Sequence, residues 1–88
     1  MPYIKTEDRV KYGIHLQYLE AIIKDIPEEE LAGELNYLLT EIIHIATEKA
    51  NYRKFNEIIG MLECCKLEMY RRKISPYEDK KITENGDV

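Results

Sequence analysis

The densest concentration of chemically capable side chains lies near the C-terminal end. Lys66, Tyr70, Arg71, Arg72 and Lys73 are followed by Ser75-Pro76-Tyr77 and then by Glu78, Asp79, Lys80 and Lys81. Arginine forks suit phosphate oxygens, and tyrosine faces suit the flat surfaces of bases. Tyr70, Arg71, Arg72, Tyr77 and Lys80 are therefore read as a candidate site for a small phosphorylated, base-containing ligand such as a cyclic dinucleotide. Tyr37 offers a further stacking face and Asn36 a reader of polar edges. The same cations have a plainer reading: Arg and Lys at a helix C-terminus complement the negative end of its dipole and pair with Glu78 and Asp79. Arg72 follows Met69 by three residues, on the continuation of an apolar seam, so its guanidinium must pair, snorkel or meet a ligand there.

The remaining candidates carry less. Glu41 and His44 form a Glu-x-x-His pair, the spacing that shares one metal in di-iron helical bundles, but those sites need several further inward carboxylates. Glu34, Tyr37, Glu41, His44 and Glu48 read instead as a solvated stripe beside an apolar face. His15 has no Ser, Cys or Asp placed by sequence to make a nucleophile pair. Cys64 and Cys65 are adjacent, which suits neither an ordinary disulfide nor a spaced zinc set, and within an apolar helical stretch they read as reduced, buried thiols. There is no glycine-rich phosphate loop, and the paired acidic motifs of magnesium-dependent nucleotide pyrophosphatases are not evident; Glu28-Glu29-Glu30 is explained by the positive end of a helix. No catalytic residue, metal or cofactor is expected.

The elements that must position these residues are helices. Thr6 can cap a first helix, with Glu7 and Asp8 in its first turn. Val10, Ile14, Tyr18, Ile22 and Ile26 recur every fourth residue, joined by Leu19 and Ile23. Pro27 ends that helix and suits the first position of the next. Gly33 is expected to break the turn after Glu28-Glu29-Glu30. Leu35, Leu38, Ile42 and Ile45 then mark a second helix, widened by Leu39, Ile43 and Ala46, running to about Ala50. Asn51 is a boundary, and Phe55, Ile58, Leu62, Cys65 and Met69 mark a third helix that Ser75-Pro76 stops. Asn85-Gly86 marks a turn in a polar tail, and Gly60 marks a close helix contact.

The reading is thus all-α: a three-helix unit, a helical hairpin plus an N-terminal helix, spanning residues 1–76, with a C-terminal tail, 77–88, packed on it. Met61, Cys64 and Leu67 widen the third stripe as Ile43 and Ala46 widen the second, and a chain this small cannot bury so much. It is expected to complete its core as a homo-oligomer.

The 88 residues are 44% hydrophobic and 34% charged, enough apolar material to fold and too much for a disordered chain. A net charge of −4 argues against general nucleic-acid binding, which rests on many clustered cations. No stretch approaches the roughly 18 apolar residues of a membrane span, and charges follow Met1-Pro2-Tyr3-Ile4 at once, unlike a signal peptide, so a cytoplasmic protein is expected.

Several blocks occur in order: Gly33-Glu34-Leu35-Asn36-Tyr37, Asn56-Glu57-Ile58-Ile59-Gly60-Met61-Leu62-Glu63, Lys66-Leu67-Glu68-Met69-Tyr70-Arg71-Arg72, Pro76-Tyr77-Glu78-Asp79-Lys80-Lys81 and Glu84-Asn85-Gly86-Asp87-Val88. In these the chain resembles a family of short proteins of unknown function widespread in tailed bacteriophages and prophages. The resemblance covers residues 33 to 88 and implies a phage-encoded protein acting in the bacterial host cytoplasm. In size, helicity and acidity the chain is similar to small phage sponges that sequester nucleotide-derived immune signals, a likeness of type without a shared motif. Two functions follow as expectations: a non-catalytic sponge using the cationic, tyrosine-rich site, or an interaction module that inhibits or adapts a host factor.

Overall fold

The computed structural model describes residues 2–88 and is all-helical, with three helical runs. It divides into two compact units, Pro2–Asn51 and Tyr52–Val88. The first holds α1 (Thr6–Arg9), a 3₁₀ turn (Val10–Tyr12), α2 (Gly13–Lys24) and α3 (Glu28–Thr47). The second holds α4 (Tyr52–Met69), a π-helical turn (Tyr70–Ile74) and α5 (Ser75–Asn85).

In the first unit Lys5, rather than Thr6, occupies the cap position, and Thr6 is the first helical residue. The chain leaves α2 through Asp25 and Ile26, whose N–H groups donate to the carbonyls of Ile22 and Ile23. Pro27, extended at φ −57° and ψ 142°, caps α3 rather than opening it, and Glu28, Glu29 and Glu30 fill the first turn, where their charge favours the positive helix end. Gly33 does not break this helix, which passes through it without interruption. One glycine costs only about 1 kcal/mol, less than the flanking helix formers and apolar contacts return.

The inward positions of this unit are narrower than the sequence pattern. Leu19, Ile23 and Ile26 are half-buried, as are Leu31, Leu35, Leu38 and Ile43. Val10, Ile14, Tyr18 and Ile22 remain exposed, as do Leu39, Ile42 and Ile45. Helical side chains three or four apart cover only one stripe against a single neighbour, so a wider apolar face is left uncovered.

The second unit contains the main departure from expectation. Ser75-Pro76 does not stop the third helix: α5 continues to Asn85, and the residues read as a polar tail are mostly helical. Proline lacks an N–H, and inside an α-helix its ring collides with the carbonyl four residues back, here that of Arg72. The chain avoids both problems by widening the preceding turn. The Ser75 N–H donates to the Tyr70 carbonyl, a bond spanning five residues, and Pro76 then falls in the first turn of α5, where no N–H is needed. The helix ends at Gly86, whose φ of 87° is favourable only without a Cβ and whose N–H donates to the Ile82 carbonyl at 2.8 Å.

The π turn re-phases everything after it. It holds one residue more than an α turn, a shift of about 100° around the axis. In an uninterrupted α-helix the seam Phe55, Ile58, Leu62, Cys65, Met69 would continue through Arg72 or Lys73 and Pro76. With the extra residue it continues through Ile74, Tyr77 and Lys81 instead, and Arg72 is turned off the seam. Ile74 and Lys81 are half-buried, in keeping with that line.

No described residue is buried in either unit, so neither contains a closed core. Both thiols are exposed, contrary to the buried reading, because the faces carrying Cys64 and Cys65 are uncovered. Nor does Gly60 mark a close approach within the chain: a Cβ placed there, or at Gly33, meets nothing within 4 Å.

Gly33→Ala and Gly60→Ala should therefore each stabilise the chain, by about 0.5–1 kcal/mol, read as raised midpoints in thermal or urea unfolding. Pro76→Ala should let the Tyr70–Ile74 turn relax to α-helix, seen by NMR as a protected new amide at position 76 and α-helical shifts through the turn; a retained five-residue bond would show that proline is not its cause.

Candidate functional site

The cationic stretch of the second unit is built on the π turn and the helix ends flanking it. Glu68, in the last turn of α4, reaches forward along the helix to both arginines. Its Oε1 accepts from an Arg71 Nη at 2.7 Å and from Arg72 Nε at 2.8 Å. The Glu68 side chain is only 22% exposed, beneath two guanidinium groups that remain largely in solvent. One carboxylate thus gathers two cations, drawing on offsets of three and four residues that face each other on a helix.

This changes the expected role of both arginines. Arg72 does not continue the core seam, because the extra residue in the turn rotates it away. Among the described residues, the carboxylate that reaches both arginines is that of Glu68. Glu68 is therefore the residue that sequence reasoning undervalued, and its offsets from Arg71 and Arg72 were the available signal.

Tyr70 and Tyr77 are both exposed. Seven residues apart in an α-helix, they would stand nearly one above the other. The π turn adds one residue between them, so their faces diverge by about 100° and make no stacked pair on one helix face. The cation over the Tyr77 ring is Lys81, its Nζ 5.5 Å from the centroid, rather than Lys80. Lys81 also reaches Glu84 at 3.3 Å. Lys80 is exposed on the same helical run, so Tyr70, Arg71, Arg72, Tyr77 and Lys80 belong to one continuous element.

Asn36 and Tyr37 belong to the first unit. Asn36 accepts from the Thr40 hydroxyl through Oδ1 at 3.2 Å. Tyr37 helps to line an apolar groove of about 190 Å³ formed by Leu19, Ile22, Ile23 and Ile26 on one side and Glu34, Leu35 and Leu38 on the other. Oily walls with one phenol and one carboxylate suit an apolar side chain better than a phosphate. Among the described residues no three His, Cys, Asp or Glu side chains converge as a metal-binding group, and Glu41 and His44 stand on the exposed surface of α3. Nor is any described helix long and apolar enough to cross a membrane.

Two arginines on one carboxylate share its loss. Arg71→Ala or Arg72→Ala alone should cost no more than about 0.5 kcal/mol, since the remaining guanidinium still holds Glu68, whereas Glu68→Gln should cost more than either. Unfolding midpoints of the three variants test this; equal losses for all three would show that the carboxylate is not the shared centre.

Comparison with curated proteins gives no match, and comparison with solved structures gives none. Family comparison matches the whole length: over residues 1–88 the chain belongs to the family described as Domain of unknown function (DUF6899).

Proposed function

We propose that this is a non-catalytic binding protein that works as a homo-oligomer, its apolar helix faces covered by other polypeptide chains. The observation that carries this reading is the absence of any buried side chain among the described residues, alongside exposed Leu39, Ile42, Ile45, Phe55, Ile59 and Met69. Apolar surface of this extent marks an interaction site, since leaving it in water forfeits about 25 cal/mol per Å². Such a protein acts by what it holds or blocks, and an inhibitor or adaptor of a host factor is the form of that activity the exposed faces suit.

A second reading is a sponge that sequesters a nucleotide-derived immune signal. It is favoured by the exposed guanidinium groups of Arg71 and Arg72 between exposed Tyr70 and Tyr77, and by the likeness to small phage proteins, which would set it in a bacterial host. It ranks second because Glu68 already neutralises part of that charge and the two tyrosines diverge. Asn36, Tyr37 and Lys80 would have to be supplied around the ligand by the assembled oligomer.

Native mass spectrometry, combined with light scattering at micromolar concentration, separates the two. The first reading expects an oligomer that retains a polypeptide when purified from host cells; a monomer would remove it. A retained nucleotide, with calorimetric binding of a cyclic di- or trinucleotide that Arg71→Ala and Arg72→Ala abolish while remaining folded, would put the sponge first.

A further inference from the structure

The seam of the second unit runs through Phe55, Ile58, Leu62, Cys65, Met69, Ile74, Tyr77 and Lys81, roughly 40 Å at 1.5 Å per residue. It is incompletely covered: Phe55 is 47% exposed, Met69 59% and Tyr77 57%. We infer that its occupant is the same helix of a second copy, running antiparallel, with Leu62 of each copy against Ile74 of the other. The inference rests on the homo-oligomer reading above and adds to it the surface, direction and register.

The pattern of the seam supports the register. Antiparallel pairing places Cys65 opposite Met69, Leu62 opposite Ile74, Ile58 opposite Tyr77, and Phe55 opposite Lys81, every layer centred near residue 67 once the extra residue of the π turn is allowed for. Each layer thus joins an apolar residue of α4 to the seam beyond the two-fold, and the aliphatic stem of Lys81 lies on an aromatic ring. A regular α-helix would bring Arg72 or Lys73 and Pro76 to these layers. The π turn is thus the device that gives the seam a second half.

Charge along one flank supports the direction. Lys54 and Glu57 stand beside the seam at one end of the long helix, and Lys80 and Glu84 stand on the same flank at the other. Reversal sets Lys54 against Glu84 and Glu57 against Lys80, and the two-fold repeats both pairs. Within one chain these ends hold their own partners, Lys54 on Glu57 at 3.1 Å and Lys81 on Glu84 at 3.3 Å, short pairs that a second copy extends into a network. Lys66, close to the two-fold, keeps Glu63 at 2.9 Å as its counter-charge. A parallel, in-register pair would instead set Lys81 against Lys81 within the seam, where desolvation makes like charges costly.

Cross-linking tests the register directly. In a Cys64→Ser, Cys65→Ala background, Leu62→Cys and Ile74→Cys proteins are prepared separately, checked for helicity, mixed and oxidised. Covalent dimers joining one protein to the other, with little cross-linking of either alone, are expected. Parallel pairing predicts the reverse, each protein linking to itself, and would overturn the inference, as would an oligomer that links in neither arrangement. In the Cys-intact chain, Glu57→Lys should weaken self-association about tenfold, and adding Lys80→Glu should restore it; no weakening, or no restoration, would overturn the assigned flank. Sedimentation of the unsubstituted protein separates this result from the parent reading. A monomer removes both, whereas an oligomer with the wrong cross-links removes only this surface.

Discussion

Pro76 is the constraint on which the second unit depends. A proline within a helical sequence leaves one carbonyl without its donor and brings a ring against it, at a cost of about 3 kcal/mol if the helix stays regular. Ending the helix would have been one solution, and the polar composition of the following residues suggests it. The chain instead widens one turn, with the Ser75 N–H reaching the Tyr70 carbonyl, and continues to Asn85. A single extra residue then decides which side chains follow Met69 along the seam. Apolar Ile74 and Tyr77 replace charged and proline positions, while the arginines, three and four residues beyond Glu68, meet its carboxylate.

The second governing fact is scarcity of burial. A chain of this size removes only about 60–65% of its unfolded surface from water even when compact. Here no described residue is fully buried, and the better covered positions, such as Leu19, Leu35, Ile58 and Leu62, are only partly buried. Local terms, namely helix propensity, the acidic start of α3, and i,i+3 or i,i+4 pairs such as Lys24 with Glu20, contribute a few tenths of a kcal/mol each. Such sums hold helices together without fixing how they pack. On the homo-oligomer reading proposed above, the uncovered apolar faces would be half of an interface, and stability and binding would be one equilibrium.

The cationic stretch shows how a local ion pair redirects a functional reading. Arginines at a helix end next to tyrosines are the right residues for a phosphorylated ligand. A largely covered carboxylate held by two guanidinium groups lowers the charge available to an incoming anion. The same arrangement ties the π turn to the end of α4, so the cluster has a structural task independent of any ligand.

Helical class, the approximate runs and the joint at Pro27 were legible in the sequence, because spacing of three and four and the chemistry of proline are local properties. So was the excess of apolar surface, which composition alone implies. The course of the chain at Gly33 and Pro76 was not: a glycine or proline states a cost, and only the surrounding structure decides whether that cost ends the helix or is absorbed, as the widened turn absorbs Pro76. Which part of each stripe turns inward also required the tertiary structure. Leu19 and Ile23 are covered while Ile14 and Ile22 are not, because a neighbouring helix shields only a narrow arc. For the candidate site, the residue types were visible at once. Their arrangement was decided by the phase of the π turn, which separates Tyr70 from Tyr77 and takes Arg72 off the seam, since one added residue rotates every later side chain about the helix axis.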